Sequence, residues 1–296
     1  MRQANASISI VAVPVEQKVS PVCPDDLGQL KRIDHSFHCD QCGRNFRVLS
    51  GILELLPREV LQKSSSEYKQ LAIYNASFSD RAERKWHRPL RSLLHRMGNA
   101  YLYSWAATCL ESIAKDQSLL ILDAGCGDGI LRRYVSTRHA YVGIDFSRRP
   151  LLRARHEPGS QYFLADLNHL PFPSKTFDVV LSFQALQYLE SPAPVLFQFA
   201  RVLKPQGKLI LTVPNADSFK YRLQGIPRLH VQKFDRKTID DLLTRANFNI
   251  LQADTRGCWI PFPSLSMHLP GVYPPRWGLS WSIVAKRKED KGLSHR

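Results

Sequence analysis

The sequence predicts an α/β protein of Rossmann-like architecture with a small cysteine-bearing unit ahead of it. Three observations lead there. After Asp116, short apolar runs alternate with helix-like stretches. The first of those runs ends in the glycine-rich turn Asp123-Ala124-Gly125-Cys126-Gly127-Asp128-Gly129. Near the N-terminus, Cys39-x-x-Cys42 stands with Cys23 at metal-like spacing. Buried parallel strands read as short continuous apolar runs because helices cover both of their faces.

The strand-like runs are SLLILDAG, AYVGID, QYFLAD, FDVVLSF, KLILTV and NILQAD, then SWSIVAKRK after a long connection rich in proline and tryptophan. Helices are expected through Leu131 to Tyr134, Arg149 to His156, Pro194 to Val202 and Lys237 to Asn247. Before Asp116, Leu90, Leu93, Leu94 and Met97 recur at helical spacing in a strongly basic stretch, which predicts two or three helices from about Ser65 to Lys115. From Cys23 to Leu56, two turn-rich knuckles, the strand-like FRVL and a turn at Gly51 read as a separate mini-domain closed by Pro57. The expected division is a tail over 1–20, the small unit over 21–58, a basic helical lead-in over 59–116, the main domain over 117–288 and a tail over 289–296.

With 44% hydrophobic and 23% charged residues, disordered and fibrous classes are poor fits. Lys and Arg number 41 against 26 Asp and Glu, a formal net charge of +15, which favours nucleic acid, anionic lipid or an acidic partner without choosing among them. Pro14 and Glu16 interrupt the apolar start before it takes signal-peptide form, and no run approaches the length of a membrane span, so the expectation is a cytoplasmic protein whose membrane contact is at most peripheral. The six cysteines suggest no structural disulfide.

A strand, a glycine turn and a helix open a ligand crevice at the carboxyl ends of a parallel sheet. Gly125, Gly127 and Gly129 leave room for close backbone approach. Asp123 and Asp128 bring negative charge to that turn, which argues against a pyrophosphate and for a ligand with cationic groups, such as the ammonium and sulfonium of S-adenosylmethionine. Asp145 ends the second strand, about twenty residues beyond the turn, where its carboxylate suits two ribose hydroxyls. Asp166 ends the third and suits the exocyclic amine of adenine, with Phe146 and Leu167 to sandwich the ring. Cys126, within the turn, and Phe183, at the end of FDVVLSF, complete the expected cofactor set. Any one of these acids also fits a helix cap.

ILDAGCGDG, YVGIDFS, FLADLNHLPFPSKTFDVVLSFQALQYLESP and FARVLKPQGKLILTVPN, from about residue 119 to 215, resemble the class I S-adenosylmethionine-dependent methyltransferases, in the broad group of quinone- and sterol-methylating enzymes. The resemblance implies a seven-stranded, mostly parallel sheet with an antiparallel last strand, for which SWSIVAKRK is the candidate. Many members of that group carry histidine where this chain has Gln187.

Cys23, Asp26, Cys39 and Cys42 make a candidate four-ligand zinc set, since zinc accepts thiolate sulfur and carboxylate oxygen. His35 and His38 are further donors nearby. The alternative is a degenerate ribbon held by Phe37, Phe46, Val48 and Leu53. HCDQCGRNFRVLSGILELLPRE resembles the short zinc-ribbon-like domain found fused to methyltransferases or as a free activating subunit, with Asp26 replacing a second cysteine.

Methyl transfer from a sulfonium needs alignment more than a dedicated base. Gln184, Gln187, Tyr188 and His230 are the polar residues expected near the transfer point, and His230 is the candidate base. No Asn/Asp-Pro-Pro-Tyr or Pro-Cys follows the fourth strand. Two acceptor classes stay open. A small or lipophilic molecule is suggested by Trp259, Phe262, Tyr273, Trp277 and Trp281 as an apolar roof. RNA is suggested by the charge, the ribbon and SDRAERKWHRPLRSLLHRMG, which would equally suit anionic lipid. A non-catalytic scaffold is the third reading, against which the intact glycines and acids argue.

Overall fold

A computed structural model describes residues 19–62, 89–225, 230–260 and 265–289. The N-terminal unit contributes β1 (Leu30–Ile33), β2 (Ser36–Cys39), β3 (Asn45–Leu49) and β4 (Ile52–Leu55), then the short helix α1 (Arg58–Gln62). A single helix, α2 (Pro89–Ala114), leads into β5 (Leu120–Ala124), β6 (Ala140–Asp145), α3 (Arg148–Ala154), β7 (Ser160–Ala165) and β8 (Phe177–Phe183). Then come α4 (Pro192–Val202), β9 (Leu203–Pro214), α5 (Phe219–Gln224), α6 (Arg236–Arg245), β10 (Phe248–Ile260), β11 (Leu265–Tyr273) and β12 (Gly278–Arg287).

The strands make one sheet in the order β1-β2-β3-β4-β7-β6-β5-β8-β9-β12-β10-β11. β7, β6, β5, β8 and β9 run parallel, and β12 enters antiparallel between β9 and β10. That is the seven-stranded arrangement with an antiparallel last strand. Adjacent residues enter opposite cores: Leu122, Val180 and Leu211 lie on the α4 and α6 face, and Ile121, Val179 and Ile210 on the α2 face. Burial on both faces is why these strands read as unbroken apolar runs.

Two features differ from the expected layout. The Pro- and Trp-rich connection is largely strand: β10 continues to Ile260 and pairs with β11 as a hairpin. Pro270 lies within β11, which pairs on one side only, and an edge strand tolerates a residue that cannot donate to a ladder. The expected helix through Leu131 to Tyr134 is one 3₁₀ stretch, Ile130–Tyr134. Of the basic lead-in, residues 63–88 lie outside the described part of the chain.

The N-terminal unit joins the main sheet through β4, which runs parallel to β7 with Leu53 opposite Phe163 and Leu55 opposite Ala165. The Val22 N–H also donates to the Pro171 carbonyl at 2.9 Å. Cys23, Cys39, Phe46 and Leu55 belong to the same apolar core as Phe163, Phe172 and Phe177, whose rings meet edge-on. Among the described residues, no helix is long and apolar enough to cross a membrane.

Because Leu55 is fully buried in this shared core, Leu55→Ala is expected to cost about 2–5 kcal/mol. Urea unfolding followed by circular dichroism should show the whole transition moving to lower denaturant. Loss of the N-terminal unit's amide protection alone, with the sheet unchanged, would show instead that the two parts unfold independently.

Candidate functional site

The crevice forms where β5 ends. The Gly125 and Cys126 N–H groups both donate to the Ile144 carbonyl of β6 at 2.9 Å, so the chain turns sharply beneath the ends of two strands. This turn requires glycine. Gly125 has φ +86°, and a Cβ there would stand 2.7 Å from the Ala185 methyl. Gly129 has φ +73°, with Ala154 Cβ only 2.9 Å from the same construction. Such conformations and approaches exclude a side chain.

Asp145, at the end of β6, is held through both carboxylate oxygens. Oδ2 accepts the Gly127 N–H at 2.9 Å and Oδ1 the Ser147 N–H at 2.7 Å. Each oxygen keeps a further lone pair for a ligand donor. Burial raises its pKa and the Asp128 charge adds to the rise, although the Ser147 and Gly127 N–H groups oppose that shift. Asp123 is buried and accepts the Tyr141 hydroxyl. Burial pushes its pKa up to about 7, with Tyr141 pulling down and the Asp145 charge adding to the rise.

The remaining expected cofactor residues divide. Asp166 caps the next 3₁₀ turn, accepting the Asn168 N–H at 2.9 Å, and His169 Nδ1 lies 3.7 Å from its other oxygen. Leu167 is buried beside it and Phe146 is half-buried after Asp145. The Cys126 backbone is engaged within the turn, its N–H by the Ile144 carbonyl and its carbonyl by the Gly129 N–H, while its sulfur packs 2.9 Å from where a Cβ on Gly143 would stand. Phe183 lies within ring contact of Tyr103 (6.0 Å) and Trp105 (6.4 Å) on α2.

Those α2 aromatics were not among the expected site residues. Burial raises the Tyr103 pKa, and the charges of Asp123 and Asp128 add to the rise; its side chain packs against the apolar cluster that includes Cys126 of the glycine turn. Further along, the Arg256 guanidinium of β10 lies 4.9 Å from the Trp105 ring and donates to the Tyr101 hydroxyl at 2.8 Å. The cluster YLYSW, aromatic within an otherwise basic lead-in, is the sequence signal that could have drawn attention to it.

At the end of β8, Gln184 adopts φ +53°, and its amide nitrogen reaches Thr212 Oγ1 at 3.4 Å and Ser280 Oγ at 3.3 Å. Tyr188 and His230 meet edge-on at 5.4 Å. Gln187 is buried, and its carbonyl accepts the Val231 N–H at 2.8 Å, which ties the His230 segment to the turn after β8. Tyr188 and His230 are thus brought together, whereas Gln184 is tied to β9 and β12.

The described members of the expected aromatic roof do not gather over one pocket. Trp281 is buried beneath Arg236 at 5.5 Å, and together with Tyr273 it lines a separate cleft of about 350 Å³. Trp277 is exposed beside Phe219. Phe262, Arg84, Lys85, Trp86 and Arg88 lie outside the described residues, as do the side chains of Trp259 and Arg91.

In the N-terminal unit, one donor atom from each of Cys23, Asp26, Cys39 and Cys42 lies within 4.8 Å of every other. The Cys23 and Cys42 sulfurs are 3.8 Å apart, the edge of a tetrahedron with zinc–sulfur bonds of about 2.3 Å. The Gly28 N–H orients Asp26 at 2.8 Å and holds its pKa below the usual range, while burial pushes the Cys23 thiol up. His38 is engaged with Asn45 Oδ1 at 2.8 Å instead.

Residues 122–211 match the family model described as a methyltransferase domain. The chain is 31% identical over 131 residues to a malonyl-[acyl-carrier protein] O-methyltransferase of Enterobacter lignolyticus, covering 42% of this chain and 52% of that protein. It is 28% identical over 158 residues to a phosphatidylethanolamine N-methyltransferase of Cereibacter sphaeroides, covering 51% and 68%. The chain spans about half the length of several of the curated relatives it matches. A solved structure from Thermotoga maritima, described as a possible histamine N-methyltransferase, shares the fold with a TM-score of 0.56 at 21% identity, covering 74% of this chain and all of that one. The sheet order, the glycine turn with its acids and the matched sequence place residues 122–211 in the class I family of S-adenosylmethionine-dependent methyltransferases.

Proposed function

We propose that the whole protein binds S-adenosylmethionine in this crevice and methylates a small or lipophilic acceptor. The observation that carries the reading is the Asp145 carboxylate, pinned by the Gly127 and Ser147 N–H groups with lone pairs left for a ribose. Asp123 and Asp128 supply negative charge for a cationic donor. Asp166 and Leu167 serve the adenine side, and Phe146 and Phe183 complete the lining.

When bound, the cofactor supplies a methyl group already activated on a sulfonium, which is displaced in line by the acceptor's lone pair. The chain's part is to align and to keep water out. Tyr103, Trp105 and Phe183 form an apolar wall beside the glycine turn. His230, set against Tyr188, is the group assigned to take the acceptor's proton, while the Gln184 amide, engaged by Thr212 and Ser280, fixes the turn after β8 that carries Tyr188. The lipophilic class draws support from that wall and from the relatives named for malonyl-[acyl-carrier protein] and phosphatidylethanolamine. The four-donor set of the N-terminal unit fits zinc, which would be held by Cys23, Asp26, Cys39 and Cys42 as a closed structural site.

Three measurements test this reading. Asp145→Ala should lower S-adenosylmethionine affinity about a hundredfold or more by calorimetry, since it deletes two charge-assisted hydrogen bonds of about 1.5–3 kcal/mol each. Unchanged affinity in a folded variant would sink the site assignment. The pH dependence follows from Asp123: with its pKa near 7 in the free protein, a cationic ligand favours the ionised form, so binding releases protons below pH 7 and affinity rises as pH increases through 7. Asp123→Asn should flatten that rise, and an equally steep profile in the variant would place the titrating group elsewhere. Protein purified without added metal should carry about one zinc per chain by elemental analysis, lost in the Cys39→Ser and Cys42→Ser variants. A metal-free, normally folded preparation would establish the degenerate ribbon.

A further inference from the structure

At the carboxyl end of β9 the surface carries apolar side chains that nothing in the described chain covers. Leu223 is 72% exposed, Val272 57% and Trp277 47%. Phe219 and Leu223 stand one turn apart on α5, and the Phe219 ring meets Trp277 edge-on at 5.2 Å. The patch is held rigidly. Asn215 is fully buried, and its side-chain amide donates to the Pro275 carbonyl at 2.6 Å and the Gly278 carbonyl at 2.8 Å, while the Phe219 N–H donates to the Arg276 carbonyl at 2.8 Å. Lys220, Arg222 and Arg276 flank the apolar residues; of the nearby acids, Asp217 lies 3.7 Å from Arg222, and Asp254, in the cleft lined by Val272, lies 3.3 Å from Arg256.

We propose that this rim, Phe219, Leu223, Val272 and Trp277 with its flanking cations, docks the protein on an anionic lipid surface. An indole and aliphatic side chains beside arginines match the headgroup–acyl boundary, where aromatic rings sit and basic residues meet negative lipid. RNA fits less well, because Leu223 and Val272 have no ring on which a base could stack. The location gives docking a consequence. β9 is parallel to β8 and β5, so its carboxyl end lies at the end of the sheet where the glycine turn and Asp145 open the crevice. A protein seated on this rim turns that end toward the bilayer, a sense that rests on the lipophilic-acceptor reading. The docking itself does not require turnover.

The test is sedimentation of the full chain with phosphatidylcholine vesicles, with and without phosphatidylglycerol, at physiological salt. Binding is expected only with the anionic lipid. Leu223→Ser combined with Trp277→Ala should weaken it about tenfold or more, with S-adenosylmethionine affinity unchanged. Brominated lipid should quench indole fluorescence, and Trp277→Phe, a near-native change, should remove most of that quenching. Absence of binding to anionic vesicles, equal binding by the double variant, or quenching that survives Trp277→Phe would overturn the proposal. Retention of the cofactor in those same cases would leave the methyltransferase reading standing. Single-stranded RNA bound by the wild type and lost in the double variant would assign the rim to nucleic acid instead.

Discussion

One carbonyl organises the crevice. Ile144 O takes the N–H groups of both Gly125 and Cys126, clamping the end of β5 to the end of β6 just before Asp145. From that clamp the next amide, Gly127, is aimed at the Asp145 carboxylate, and Ser147 closes on it from the other side. The turn and the acid therefore position each other. A side chain at Gly125 would collide with Ala185 in the turn after β8, so the same glycine also brings the end of a third strand up to the crevice. Backbone geometry of this kind is set before any ligand arrives, which is how a site avoids reorganisation when it binds.

The electrostatics of the crevice follow from that packing. Asp123 and Asp145 end neighbouring strands, and Asp128 lies between them in sequence on the same turn. Like charges at short range with little water raise one another's pKa, and the directions for Asp123 and Asp145 agree with this. The hydroxyls of Tyr103 and Tyr141 feel the same field, and their ionisation is pushed well above the ordinary phenol range. Burial moves Asp123 toward its protonated form, while the hydrogen bond it accepts from the Tyr141 hydroxyl favours the carboxylate. A ligand carrying positive charge would favour the ionised acids, whereas a phosphate would meet like charge at this turn.

Much of this was legible because it is local. AYVGID is β6 residue for residue, and the acids at the ends of β6 and β7 stand where the alternation of strand and helix put them. What escaped depends on distant contacts. Tyr101, Tyr103 and Trp105 alternate along a basic helix, and nothing local says that they meet Arg256 of β10 and Phe183 of β8. β11 escaped because Pro270 argues against a strand, and only its place at the sheet edge makes that residue tolerable. The aromatics between the last strands were legible as a group but not by face. Trp281 enters the core, and Trp277, only a few residues earlier, lies in the turn that precedes the strand and points to solvent.

The N-terminal unit is explained by the edge it covers. β7 ends the parallel set, and an open parallel edge is a template for unwanted pairing. β4 takes that position, so the unit completes the sheet instead of sitting beside it. The contact also reaches the crevice. β4 pairs as far as Leu55 opposite Ala165, immediately before Asp166, while the amide of Val22 holds the carbonyl of Pro171 on the other side of the Asp166–His169 turn. That turn is therefore gripped at both ends by the segment carrying Cys23 and by the strand after the Cys39–Cys42 knuckle. These contacts link the four-donor unit to the turn that carries the acid at the end of β7, which gives the small unit a structural reason to be joined to this sheet.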